Sequence, residues 1–387
     1  MKHKRLRDDM PEPLKNMFDE KFVSGLAEDI RKVYREFDSA NFIRDVFDGK
    51  WQEKELKERM RHISDCMRKY LPESYEEAVS ILMKTASEHR AERKLNDEIS
   101  FCDMVFPDFT EKYGIDHYDI SVKSMEEFTK VSSSEFAVRI FIIKYPKKMM
   151  KQMMKWARHK DPSVRRLASE GSRPRLPWAA ALPEFKKDPS PILPILEILK
   201  NDPELFVRRS AANSLNDISK DNPEIILSIA EQWIGKSENT DWILKHGLRG
   251  LLKKGNSRAL KLFGFDSKKT DIQISDIQMK RELRIGEDLP FSFQLRTGKT
   301  DQKLRLEYEI EYVKAKKGPS RKVFQIVEKK FPAKAEIEIR RKQSFRNMTT
   351  RVHYPGRHIL RILVNGHRFA EESFNLRTPD KKPDSGR

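Results

Sequence analysis

Cysteine is nearly missing: the 387 residues hold only Cys66 and Cys102. The two lack metal-ligand spacing and are too few for a disulfide framework, so a thiolate metal centre and a stapled secreted scaffold are both excluded. A reducing cytoplasm is the expected location. No run of about 18 apolar residues occurs, so no segment reads as a membrane-spanning helix. The opening Met1-Lys-His-Lys-Arg-Leu-Arg-Asp-Asp is charged where a secretory leader carries an apolar stretch, and no such leader is expected. A basic amphipathic helix with an exposed apolar face is also lacking, which disfavours an anionic membrane surface as partner.

What is abundant is charge. Charged residues make up 36% of the chain against 37% hydrophobic, enough apolar side chain for a core beneath a highly charged surface. The formal net charge of +18 is unevenly distributed. Residues 1–129 net −6, residues 131–265 net +11, and residues 266–387 net +12. Basic charge confined to two regions points to a partner of dense negative charge, with nucleic acid first, because neutralising phosphates releases counterions.

At this length two or three folding units are expected. Residues 12–130 read as amphipathic helices over 13–23, 23–37, 53–70 and 76–84, with apolar residues every three or four positions. From 132 the pattern becomes repetitive. Ser132-Ser-Ser-Glu-Phe-Ala-Val-Arg opens with an N-cap signal and predicts a helix running toward Tyr145-Pro146. A basic, Met-rich helix over 147–159 follows. Asp161-Pro-Ser-Val-Arg-Arg-Leu-Ala-Ser then supplies a cap with proline in the first turn, and Asp202-Pro-Glu-Leu-Phe-Val-Arg-Arg-Ser-Ala-Ala repeats it 41 residues on. The distance from Asp-Pro to Val differs by two between the copies, so the repeat is imperfect. Asn222-Pro-Glu-Ile-Ile-Leu and Asp241-Trp-Ile-Leu-Lys-His predict a third helix pair. A pair recurring every ~40 residues is the mark of HEAT-type repeats, which must stack because no single pair buries its own apolar face.

After Phe265 the period changes to two. Strands are predicted at 289–295, 304–312, 323–327 and 335–339, and a hairpin at 358–370 turning on Asn365-Gly366. The expected fold is mainly α: a HEAT-like helical-repeat solenoid over 1–266, a small all-β immunoglobulin-like sandwich over 267–377, and a disordered tail over 378–387.

Candidate chemistry lies on the second helix of each repeat. Arg166 and Glu170 share a helical face, as do Arg209, Asn213 and Asp217 in the next copy. Helical ion pairs on a solvated face would give the same spacing. Glu170-Gly-Ser-Arg-Pro-Arg-Leu-Pro-Trp178 is harder to explain as mere surface. It places a tryptophan beside Arg173 and Arg175 between two helices, where the ring is either a core plug or a flat platform for a charged ligand. Glu135 sits where any glutamate is favoured by the helix dipole.

Several of these segments resemble the AlkC branch of the HEAT-like DNA alkylation-repair glycosylases. They are Ser133-Ser-Glu-Phe-Ala-Val-Arg, Ser169-Glu-Gly-Ser-Arg-Pro-Arg-Leu-Pro-Trp, Ala212-Asn-Ser-Leu-Asn-Asp and His246-Gly-Leu-Arg-Gly-Leu-Leu-Lys-Lys-Gly. The stretches Pro13-Leu-Lys and Phe37-Asp-Ser-Ala-Asn-Phe are similar as well, and one subgroup of that family carries a C-terminal immunoglobulin-like domain. The resemblance implies a monofunctional enzyme that hydrolyses the N-glycosidic bond of cationic, N3-alkylated bases without flipping the nucleotide into a deep pocket. It places acidic active-site positions at Glu135, Glu170 and Asp217 and an aromatic one at Trp178. Arg139, Lys144, Arg165, Arg166, Arg173, Arg175, Arg208, Arg209, Arg249, Lys253 and Lys254 are candidate phosphate contacts, and the basic sandwich a second contact. Double-stranded DNA bearing alkylated bases is the expected partner of a monomer that uses no metal or cofactor. A HEAT scaffold that binds damaged or branched DNA without cutting it, or a protein–protein adaptor, would share the repeats.

Overall fold

The computed structural model describes residues 12–93, 101–266, 270–315, 318–348 and 351–378. The charged opening segment and the expected tail beyond residue 378 lie outside them. The helices among the described residues are α1 (Glu20–Val33), α2 (Ser39–Val46), α3 (Leu56–Tyr70), α4 (Tyr75–Arg93), α5 (Val105–Tyr113), α6 (Tyr118–Phe128), α7 (Val138–Lys144) and α8 (Pro146–Trp156). They continue as α9 (Pro162–Gly171), α10 (Pro183–Lys187), α11 (Leu193–Leu199), α12 (Leu205–Ile218), α13 (Pro223–Trp233), α14 (Glu238–Gly247), α15 (Arg249–Lys253) and α16 (Ser257–Leu262). An all-β sandwich follows, so the chain is mainly α with a C-terminal β domain.

Two compact units result. The first spans Met1–Asn222 with Ser237–Gly247, and the second Pro223–Lys236 with Leu248–Arg387. In the first, one cluster gathers apolar side chains from Phe18 to Val131, including the fully buried Phe37, Phe42, Phe106, Phe109 and Phe128. The repeat helices then line up side by side, α9 against α12 and α12 against α14. Small residues permit the approach. The Ser169 and Ser210 hydroxyls meet between α9 and α12, and a Cβ on Gly247 would lie 2.9 Å from that of Leu215 on α12.

Local signals explain the helix starts, and where the copies differ the starts differ. The Asp161 carboxylate accepts from the Ser163 amide at 2.9 Å with Pro162 at the first helical position. Asp202 repeats the bond, accepting from the Glu204 amide at 2.9 Å, but α12 begins only three residues beyond it, and its carboxylate also takes two guanidinium nitrogens of Arg165, at 2.6 and 3.0 Å. The expected third pair also separates, because α14 packs on α12 while α13 packs on α16 in the second unit. Regular helix begins at Val138, so Glu135 lies in the turn ahead of α7 rather than in its first turn.

The sandwich holds β1 (Ile272–Met279), β2 (Glu282–Arg284), β3 (Asp288–Thr297), β4 (Gln302–Tyr312), β5 (Ser320–Phe331), β6 (Glu336–Ser344), β7 (Gly356–Val364) and β8 (His367–Arg377). One sheet runs β1-β3-β6, the other β2-β8-β7-β4-β5. Alternate residues such as Leu289, Phe291, Phe293 and Leu295 fill the space between them. The Asn365-Gly366 turn joins β7 and β8 with φ of 47° and 79°, the left-handed pair that a two-residue hairpin needs. Within this unit the turn after α15 sits on that hairpin: a Cβ on Gly255 would fall 2.9 Å from the Gly366 carbonyl oxygen.

Candidate active site

A cavity of about 460 Å³ opens in the first unit. Its polar lining includes Ser133, Glu135, Arg166, Glu170 and Arg173, and its apolar walls include Phe101, Phe136, Phe206 and Trp178. Three of the four expected active-site residues thus meet in one hollow. Asp217 stands one side chain behind them, linked through Arg173.

The carboxylates fall into two groups. In the outer pair, Glu135 Oε2 accepts from the Ser133 hydroxyl at 2.8 Å and forms an ion pair with Arg166 Nη2 at 2.8 Å. Arg166 Nη1 also donates to Ser133 Oγ at 3.2 Å, which closes a three-residue ring on the cavity wall. In the inner group, Arg173 bridges two buried acids, donating to Glu170 Oε1 and, from Nε at 2.9 Å, to Asp217 Oδ2. Lys220 reaches the other Asp217 oxygen at 2.9 Å. Burial alone would depress the Arg173 guanidinium, but the Glu170 and Asp217 carboxylates outweigh it and hold the group above its usual value. The sequence spacing put Glu170 with Arg166. Instead Arg166 turns to Glu135, and Glu170 pairs within its own turn to Arg173.

Trp178 is the exposed member, at 62% of its surface, and its φ of 62° is left-handed, a costly state for a bulky residue. The loop that imposes it is held from both sides. Lys57 on α3 donates to the Trp178 carbonyl at 2.7 Å and lies 4.7 Å from the centre of the Phe136 ring. From inside, Arg139 donates Nε to the Ala180 carbonyl at 2.6 Å and Nη1 to those of Gly171 and Arg173, at 3.1 and 2.9 Å.

Arg139 therefore corrects an expectation. It is 2% exposed, and burial, with Arg173 beside it, pulls its guanidinium down to about 10. It anchors the loop and presents nothing to a phosphate. Arg173 is likewise internal, a bridge between acids. Arg165 clamps Asp202, and Arg208 donates to the carbonyls of Asp202 and Pro203 at 2.7 and 2.6 Å. Arg175 holds Asp221 through both arms, and Lys144 meets Asp116. Arg209 is exposed on α12. Arg249, Lys253 and Lys254 belong to the second unit, with both lysines exposed.

Sequence reasoning missed the share of the N-terminal helices, which carried no chemical signal. Phe101 and Met104 line the cavity and Lys57 steadies Trp178, 121 positions away in the chain. Ser133 and Phe206 were passed over for the same reason: neither residue type announces a site.

Comparison with known proteins supplies the context. Residues 273–378 match the family model described as "Uncharacterised protein YhaZ, C-terminal Ig-like domain". The uncharacterized protein YhaZ of Bacillus subtilis (strain 168) is 43% identical over 354 residues, which cover 91% of this chain and 96% of that protein. A solved structure of Pseudomonas fluorescens alkylpurine DNA glycosylase AlkC, bound to DNA containing an abasic site analog, is similar with a TM-score of 0.88. It is 37% identical, and the match covers 94% of this chain and 99% of that one.

Proposed function

The chain belongs to the AlkC family of DNA alkylation-repair glycosylases, and on that premise we propose that it excises cationic N3-alkylated bases, such as 3-methyladenine and 3-methylcytosine, from double-stranded DNA. The observation that carries this reading is the meeting of Glu135, Glu170 and Trp178 in one cavity, with Asp217 directly behind. A base alkylated at N3 is already positive, so it leaves with the glycosidic electron pair and needs no general acid. The deoxyribose left behind gains oxocarbenium character at C1′. Carboxylates fixed beside that carbon lower the barrier electrostatically, and one of them takes a proton from the water whose oxygen bonds to C1′. Glu135 is assigned that proton, being the acid on the outer wall. Glu170 and Asp217, locked to Arg173, supply a rigid field. The exposed ring of Trp178 offers its face to the cationic base or the sugar.

The open hollow and surface tryptophan favour a reaction carried out without extruding the nucleotide, unlike the usual glycosylase strategy. We assign the enzyme a monofunctional, cofactor-free reaction as a monomer in the cytoplasm. Among the phosphate candidates, the exposed Arg209, Lys253 and Lys254 fit best; Arg166, Lys144 and Arg175 would first release Glu135, Asp116 and Asp221, and Arg249 is assigned with its neighbours in the second unit. The basic sandwich is assigned a second DNA contact.

Incubation of methylated duplex DNA with the purified protein should release free 3-methyladenine or 3-methylcytosine. Glu135→Gln should lower the rate by about 10²–10³-fold, the loss typical of one pre-organised charge, at unchanged affinity for DNA. One feature favours a second reading: all three acids are engaged by arginines, as in a purely structural network. Binding of DNA with no release of base by the wild type would establish that non-catalytic binder.

A further inference from the structure

Behind the cavity wall lies an acid that the proposed chemistry leaves unused. Asp108 on α5 is 2% exposed, and neither of its carboxylate oxygens has a hydrogen-bond partner among the described residues. Arg61 Nη2 comes within 2.8 Å of Oδ1, close enough for charge attraction but not aligned to donate. A buried carboxylate with its lone pairs unmet is costly, and native proteins meet such groups with ordered water.

Space for that water is present. Asp108 faces a void of about 10 Å³, near the size that admits one molecule. Ser133 and Phe136 line this void and the large cavity alike. Ser133 is also the residue whose hydroxyl donates to Glu135 and accepts from Arg166. One side chain therefore separates the unmet acid from the acid assigned the catalytic proton.

We propose that Asp108 holds a single buried water in this void and, through it and Ser133, forms the far end of a proton relay from Glu135. The proposal rests on the glycosylase reading for its chemical role. After the attacking water gives its proton to Glu135, that proton passes to Ser133 Oγ. The Ser133 hydroxyl turns to give its own proton to the buried water, and the water gives one to Asp108. One proton moves, no bond to carbon changes, and Glu135 is returned to its charged form. Asp108 is a positioning and proton-accepting residue here; it does not touch substrate.

Its electrostatic setting suits the role. Burial lifts the Asp108 carboxyl to about 6, against the opposing pull of Arg61 and of the neighbouring Ser64 hydroxyl on α3, so it takes a proton more readily than an ordinary carboxylate. The charged groups acting on it are Arg61 and Asp65 from α3 and Glu111 from its own helix. The turn ahead of α7 presents Ser133, Phe136 and Ala137 to the void.

The test uses the full chain with Asp108→Asn, Ser133→Ala and the double variant, assayed for base release from methylated duplex DNA between pH 5 and 8. Asp108→Asn should cut the maximal rate about tenfold, leave KM unchanged, and remove the rise in rate centred near pH 6, with no loss of thermal stability. In a Ser133→Ala background it should cost nothing more, because the path is already broken. Multiplying losses, or an unaltered pH profile in Asp108→Asn, would overturn the relay. The site itself is checked without activity, by a high-resolution crystal structure: density for a water bridging Asp108 and Ser133 supports it, and a dry void overturns it. A wild type that releases no base but shows that water would reject the glycosylase reading and the relay together while leaving the water site intact.

Discussion

Arg173 is the residue on which the inner site turns. It is buried between Glu170 and Asp217, so its removal leaves two acids inside the protein without their main counter-charge. Arg173→Met, close in volume, should destabilise the fold by about 3–5 kcal/mol, the usual result of breaking rather than replacing a buried ion pair. Urea denaturation measures this; a change within about 1 kcal/mol would mean that solvent reaches the pair and screens it. Its two neighbours on the same loop act differently. Arg175 meets Asp221 near the surface, where a pair contributes little to stability, and Trp178 is exposed. Three residues within one short segment thus serve folding, surface pairing and, for Trp178, the proposed ligand contact.

At the scale of elements, the decisive piece is the loop between α9 and α10. It has no regular hydrogen-bond ladder of its own, so its backbone groups must find partners elsewhere. Arg139 from α7 satisfies two of its carbonyls and that of Gly171 at the end of α9, Lys57 from α3 a third in the loop, and the Leu182 amide closes the loop on the Pro174 carbonyl at 3.1 Å. The left-handed Trp178 persists because these contacts over-determine it. Arg139→Met should leave those carbonyls short of donors and cost about 3 kcal/mol, at ~1.5–3 kcal/mol for each hydrogen bond to a charged group less partial rehydration. Limited proteolysis should then cut within residues 172–182 before any other site. A loop that remains protected would place its rigidity in the two prolines instead.

Over the whole molecule the charge distribution becomes the controlling property. A net +18, with the acidic excess confined to residues 1–129, predicts strong dependence of DNA binding on salt. Each phosphate neutralised contributes a slope of about −0.9 to log K against log salt, so six or more contacts would weaken binding ~10³-fold between 50 and 200 mM salt. Fluorescence anisotropy with a labelled duplex checks this, and a flat response would remove phosphate contacts as the source of affinity. The division into units also bears on how the chain is cut. Helices α13, α15 and α16 pack with the sandwich, so the change of period after Phe265 is a change of secondary structure and not the edge of a compact unit.

The sequence by itself determined what depends on neighbours along the chain: helix against strand from the period of apolar residues, the Asp161-Pro162 cap, the Asn365-Gly366 turn, and the repeat that aligns α9 with α12. It also brought Glu135, Glu170 and Trp178 forward, through segments distinctive enough to carry a family resemblance. Only the tertiary structure decided which acid meets which arginine. Helical spacing offers Arg166 to Glu170, yet burial and loop geometry give Glu170 to Arg173 and Arg166 to Glu135. It decided likewise that Arg139 is an internal anchor, that Lys57 holds the Trp178 carbonyl and that Phe101 lines the cavity. The physical reason is common to these cases. Periodicity encodes which face of an element turns inward, whereas the partner of a buried charge is set by whichever polar group the packed chain brings within reach once water has been excluded.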